Sequence, residues 1–184
     1  MTQERFNEKE IIQKLKNESS RAAAFSAIVI RYSEKIYWHI RNMTLSHEDT
    51  NDIVQETFIK AWSNIEKFRG DSQIQTWLYR IAVNETLTFL GKKQNCHVSI
   101  DSPEGAIADQ LESDTYFNGD RTDALFREAI EQLPAKQRLT FNMKYFEGMK
   151  YEEMSAILGT SVGALKASYH IAVKKISEYL EREN

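Results

Sequence analysis

The sequence predicts an all-α protein. Two small helical domains, an N-terminal helical bundle and a C-terminal four-helix domain containing a helix-turn-helix, are joined by a flexible acidic linker. Three observations predict this. Apolar residues recur at three- and four-residue spacing up to about residue 95 and again from residue 123, the signature of amphipathic helices. Only 7 Gly and 2 Pro occur in 184 residues, and β-branched clusters bounded by turn signals are absent. Between the periodic stretches, residues 96–122 hold Pro103, Gly105 and Gly119 and no sustained period.

Charge marks the same boundary. The chain has 27 Asp and Glu against 24 Lys and Arg, a net charge of −3. Residues 100–123 hold Asp101, Glu104, Asp109, Glu112, Asp114, Asp120 and Asp123 against a single base, Arg121. Such a segment cannot bury enough apolar surface to order itself and reads as a linker. Its reach is roughly 90 Å extended and nearer 30 Å as a coil. The expected divisions are therefore residues 1–95, 96–122 and 123–184.

Composition excludes several classes. Cys96 is the only cysteine, so neither a disulfide framework nor a thiolate zinc site is expected. No Ser–His–Asp order, phosphate-binding glycine loop or metal-ligand spacing occurs, and His39, His47, His97 and His170 are scattered. An enzyme is the least expected reading, and no cofactor or metal is implied. No apolar run approaches the length of a membrane span, so no membrane insertion is expected. The start "MTQERFNEKE" is too polar for a signal peptide, which predicts a cytoplasmic protein.

The elements follow in order. "EKEIIQKLK" (8–16) forms a short amphipathic helix with Asn7 as its cap. Ser19 or Ser20 opens the next, whose apolar positions include Phe25, Ile28, Tyr32, Ile36 and Ile40. Ser46 with Asp49 resembles a capping box. The helix beyond it places Ile53, Phe58, Ala61, Trp62 and Ile65 on one side. Gly70 breaks the period, and Ser72 caps a helix through "QTWLYRIAVNETLTFLGKK". After residue 122, "DALFREAIEQL" stops before Pro134, which suits the first turn of "AKQRLTFNMKYFEG". Gly148 ends that helix.

Residues 151–176, "YEEMSAILGTSVGALKASYHIAVKKI", have the layout of a DNA-reading unit. Met154, Ile157 and Leu158 line the inside of a short helix. Gly159 supplies a tight turn and Ser161 caps the second helix. There Val162, Leu165, Tyr169, Ala172 and Ile176 form one stripe. Ala164, Ala167, Ser168 and Ile171 form another, beside Lys166, His170, Lys174 and Lys175. One face is packed and one is open to a major groove. By pattern alone this is equally an ordinary helical hairpin. Residues 124–184 carry nine bases and eight acids, too little positive charge for a stand-alone DNA binder, because phosphate neutralisation supplies most non-specific affinity.

Two stretches resemble a known family. "DIVQETFIKAW" followed by "FRGDSQIQTWLYRIAVN" resembles the second conserved region of bacterial sigma factors. "LPAKQRLTFNMKYFEGMKYEEMSAILGTSVGALKASYHIAVKKI" resembles their fourth. Their order and spacing are similar to the extracytoplasmic-function (ECF) group. The resemblance covers roughly residues 20–95 and 124–180. It implies binding to the β′ and β subunits of core RNA polymerase, recognition of the −10 and −35 promoter elements, strand opening without catalysis, and a membrane-bound anti-sigma factor as regulator.

The resemblance also implies site residues. Asp52, Gln55 and Glu56 dock on the polymerase clamp, although by pattern they are an ordinary solvated face. Phe68, Ser72, Trp77, Arg80 and Asn84 receive −10 bases, with core packing the alternative for Trp77. Lys92 and Lys93 hold phosphate, or simply answer the helix dipole. Ser161, Ala164, Lys166, Ala167, Ser168, His170, Ile171 and Lys174 face the −35 element. Many relatives carry Thr and Arg where Ala164, Ser168, Ile171 and Val173 stand here, and Asp and Arg where Thr88 and Gly91 stand. The reading helix is thus poor in guanidinium, leaving small apolar groups for thymine methyls. The acidic linker is either a solvated tether or, as in the family, a strand threaded through a positively lined polymerase channel. Two rival readings remain: a free-standing helix-turn-helix regulator and a helical adaptor that contacts only proteins.

Overall fold

The structure, a computed structural model, describes residues 7–44, 46–97 and 121–183; for 93–97 and 121–123 it describes the backbone alone. Among the described residues every regular element is helical. The chain divides into two compact units, Met1–Thr86 and Leu87–Asn184. The linker expected at 96–122 lies, over 98–120, outside the described residues.

The first unit begins with α1 (Glu8–Lys16), with Glu8 and Glu10 in its first turn and Lys14 and Lys16 in its last. That arrangement complements the helix dipole. Asn7 stands at the cap position, but its side chain makes no capping bond. The next helix, α2 (Glu18–Thr44), opens earlier than Ser19 or Ser20 suggested. Asn17 is the reason: its Oδ1 accepts from the Ser19 N–H at 3.2 Å, which draws both serines into the first turn. Helix α3 (His47–Ser63) is capped as expected, with Ser46 Oγ accepting from the Asp49 N–H. A 3-10 turn (Ile65–Lys67) leads to a loop and then to α4 (Ile74–His97), within which the division between the units falls, after Thr86. Gly70 in that loop has φ 84°, where a side chain would be strained.

Ile28, Ile36 and Ile40 of α2, Ile53 and Ala61 of α3, and Ile74, Leu78 and Ala82 of α4 are buried together with Leu15 of α1. Each buried Ile or Leu is worth about 1.5–3 kcal/mol. Buried threonines on these helices bond backward, as Thr57 does to the Ile53 carbonyl and Thr86 to that of Ala82. Their hydroxyls therefore do not weaken the core.

In the second unit, α5 (Arg121–Glu131) and α6 (Ala135–Tyr145) precede the hairpin of α7 (Tyr151–Leu158) and α8 (Val162–Glu183). Pro134 sits at the cap of α6 rather than inside its first turn, with ψ 141°. From there its carbonyl accepts from the Gln137 and Arg138 N–H groups. The core gathers Ala129, Ile130, Leu133, Phe141, Ala172 and Ile176. Phe141 is its hub: it stacks on Tyr145 at 5.1 Å and on Tyr169 at 5.7 Å, with Phe126 edge-on at 6.2 Å.

The α7–α8 turn forms as the residue types dictate. Gly159 is left-handed at φ 63°, ψ 23°, and its N–H donates to Ser155 O. Open space surrounds the position a Cβ would take there. Gly159→Ala therefore costs only backbone strain, about 1–2 kcal/mol, and lowers the melting temperature of the second unit by several degrees without new steric conflict. Differential scanning calorimetry of the full chain checks this; an unchanged transition would show that the turn tolerates a side chain.

Candidate nucleic-acid interface

Helix α8 is held by its inner stripe. Leu165, Ala172 and Ile176 are buried, and Met154 and Ile157 of α7 are buried opposite. Ser161 Oγ accepts from the Ala164 N–H at 3.3 Å. This leaves Ala164, Lys166, Ala167, His170, Ile171 and Lys174 exposed along the outer face. Ile171 is 44% exposed, a large cost for an isoleucine in water and a ready contact for a base methyl. Lys174 pairs with Glu178 at 3.6 Å on an open surface; such a pair is weak and yields readily to a phosphate.

Ser168 departs from the expected pattern. It is half-buried, and its Oγ donates to Thr140 Oγ1 of α6 at 3.4 Å. It is small enough to fall under the edge of α8, so it supports the helix rather than facing outward.

Tyr151 is a residue the pattern missed. It opens α7, and two ammonium groups sit over its ring: Lys144 at 5.1 Å and Lys166 at 5.7 Å from the centroid. Burial first, and the neighbouring Tyr169 second, push its phenol above the usual tyrosine range. The ring thus stays neutral and orients Lys166 by cation–π attraction. An aromatic group in an otherwise acidic first turn was the available sign.

In the first unit, Phe68 is 9% exposed and lies against Trp77, ring centroids 4.8 Å apart. The Phe68 ring is therefore largely packed in this structure, where it shapes the loop. Trp77 is half-buried, while Ser72, Arg80 and Asn84 are exposed. Arg80 and Asn84, four apart, share one edge of α4. Lys92 is exposed farther along the helix; the Lys93 side chain lies outside the described residues.

Asp52, Gln55 and Glu56 are exposed on one edge of α3. Glu56 pairs with Lys60 at 3.6 Å, and Lys60 also bonds Glu85 of α4. The Glu85 hydrogen bond is the main reason the Lys60 ammonium is held above its ordinary pKa. The sequence reading missed Lys60, because its bridge to α4 spans 25 residues of chain.

A helical unit with an exposed polar edge on α3, followed by a helix-turn-helix whose residues 124–184 are nearly neutral, is the arrangement to set beside known proteins. Residues 28–96 match Sigma-70 region 2, and residues 123–176 match Sigma-70, region 4. The ECF RNA polymerase sigma-E factor of Escherichia coli K12 is 31% identical over 78% of this chain and 80% of its own. The RNA polymerase sigma-H factor of Pseudomonas aeruginosa is 28% identical over 98% of this chain and 96% of its own. Two solved structures share the fold, each with a TM-score of 0.67. CnrH, in complex with the cytosolic domain of CnrY, is 22% identical, covering 96% of this chain and 99% of its own. RpoE of Bartonella quintana, in complex with the anti-sigma factor NepR, is 24% identical, covering 87% and 98%. The chain belongs to the ECF sigma factors of bacterial RNA polymerase, and its function is transcription initiation.

Proposed function

We propose that residues 1–95 bind core RNA polymerase and read and open the −10 element, that residues 123–184 read the −35 element, and that 96–122 link them. The supporting observation is the pairing of an exposed, small-residue reading helix with a neutral surface. The second unit has selective contacts and almost no general attraction for DNA. Polymerase supplies the missing electrostatics. Weak free binding keeps unattached copies off promoters.

In this reading Asp52, Gln55 and Glu56 meet the β′ subunit. Opening a duplex costs stacking energy, so a melting protein must receive bases outside the stack; Ser72, Trp77, Arg80 and Asn84 supply polar and aromatic groups for that. The protein catalyses no reaction of its own and works in the cytoplasm, where the polymerase is. Among the described residues no helix is long and apolar enough to cross a membrane. One structural neighbour sits with the cytosolic domain of CnrY and the other with the anti-sigma factor NepR; the second supports control of this chain by an anti-sigma partner, in a stress or envelope response.

Run-off transcription from a randomised template pool, with core polymerase and with or without this chain, tests the proposal. New start sites sharing two spaced elements are the expected result. Tight, sequence-specific retention of duplex by the chain alone would favour a free-standing regulator; no change in start sites would favour a protein-only adaptor. Within this frame, Lys166→Ala is expected to lower transcription from −35-containing promoters by about fivefold, roughly one exposed cation–π or phosphate contact. Equal output would clear Lys166 of a role.

A further inference from the structure

Helix α4 starts at Ile74, and Ser72, which the sequence offered as its cap, is exposed. The first N–H groups of a helix need acceptors. For Ile74 the acceptor comes from 66 residues away: its N–H donates to Glu8 Oε1 of α1 at 2.6 Å. A carboxylate at a helix N-terminus also answers the dipole.

The same helix touches the loop a second time. At Gly70, with φ 84°, a Cβ would stand 3.2 Å from Ile12 Cγ2. A side chain at Gly70 would strain the backbone and press Ile12 to give by a few tenths of an ångström. Leu15, one turn farther along, is 4% exposed. Nearby, Arg21 donates to the Leu15 carbonyl at 3.0 Å and pairs with Glu66 at 2.7 Å, tying the end of α1 to the 3-10 turn before the loop. The match to Sigma-70 region 2 begins at residue 28, so α1 lies ahead of it.

We propose that α1 is a positioning element for the base-receiving loop, and that Glu8 is its principal positioning residue. By fixing the first turn of α4 and the bend at Gly70, α1 sets where Ser72, Trp77, Arg80 and Asn84 stand before DNA arrives. Preorganisation of this kind lowers the ordering cost at the moment of capture. Glu8 touches no base; it acts through the Ile74 N–H. The inference rests on the reading of this loop as the −10 receiver.

The test uses the full chain with core polymerase and a promoter recovered from the randomised pool. Glu8→Ala, Glu8→Gln and Asn84→Ala are compared by permanganate reactivity of −10 thymines, by discrimination against −10 base changes, and by affinity for core polymerase. Glu8→Ala is expected to cut −10 opening about tenfold, the worth of one charge-assisted hydrogen bond. It should blunt −10 discrimination and leave core affinity unchanged. Glu8→Gln keeps an acceptor oxygen and should recover most of the loss. Should Glu8→Ala open the promoter normally while Asn84→Ala does not, the proposal falls and the loop reading stands. Should both open it normally, the loop reading falls with it. Should Glu8→Ala fail to fold, Ile12→Ala, which keeps the cap and loosens the loop, is expected to give the same selective defect; normal opening by that variant overturns the proposal.

Discussion

Phe141→Ala is expected to unfold the second unit at temperatures where the first remains intact. Phe141 is 2% exposed and meets Phe126, Tyr145, Phe146 and Tyr169. Truncation of such a ring costs about 3–5 kcal/mol from transfer and cavity together, and the aromatic pairs add to that. Small domains sit near the lower end of about 5–15 kcal/mol of stability, so the loss takes most of it. The partners cannot close the gap: Tyr145 is fixed on Phe141's own helix and Tyr169 on α8, and α8 is pinned by Leu165 and Ala172. Hydrogen exchange on the full chain reads the result. Amides of α6 to α8 should exchange at the solvent-limited rate while those of α2 and α4 stay protected. Transcription that depends on a −35 element should vanish, and core polymerase binding through the first unit should persist. Retained protection in α8 would show that Phe141 is not the hub.

The second large effect is on assembly. Asp52→Ala combined with Gln55→Ala is expected to weaken core polymerase binding by about 10–100-fold, the usual range for two polar residues central to an interface. Both side chains are exposed on α3, and exposed substitutions away from caps and networks rarely change stability by more than about 0.5 kcal/mol. Glu56 is left in place because its pair with Lys60 would confuse docking with packing between α3 and α4. Titration of labelled core polymerase measures the change, and an unaltered melting curve separates it from misfolding. Unchanged affinity would remove the docking assignment from this edge of α3.

Much of this architecture was legible in the linear sequence. Helix α7 spans Tyr151–Leu158 as its apolar period indicated, and α1 spans the expected Glu8–Lys16. Gly159 is left-handed and Ser46 caps α3, since turn and cap chemistry depends on neighbours three or four residues away. The inner stripe of α8 was equally readable: Leu165, Ala172 and Ile176 recur at helical spacing and are buried.

The sequence by itself determined the class of fold, the two periodic stretches, the acidic segment between them and the near-neutral charge of residues 124–184, because periodicity and charge are properties of adjacent residues. Tertiary structure alone decided that Glu8 rather than Ser72 answers the start of α4, that Phe68 turns inward against Trp77, that Ser168 leans on Thr140 and that Lys60 joins α3 to α4. Each depends on which helix faces meet. A side chain that is the right type for a surface is buried, or borrowed as a partner, when a distant element brings it an acceptor or an apolar wall that no local spacing records.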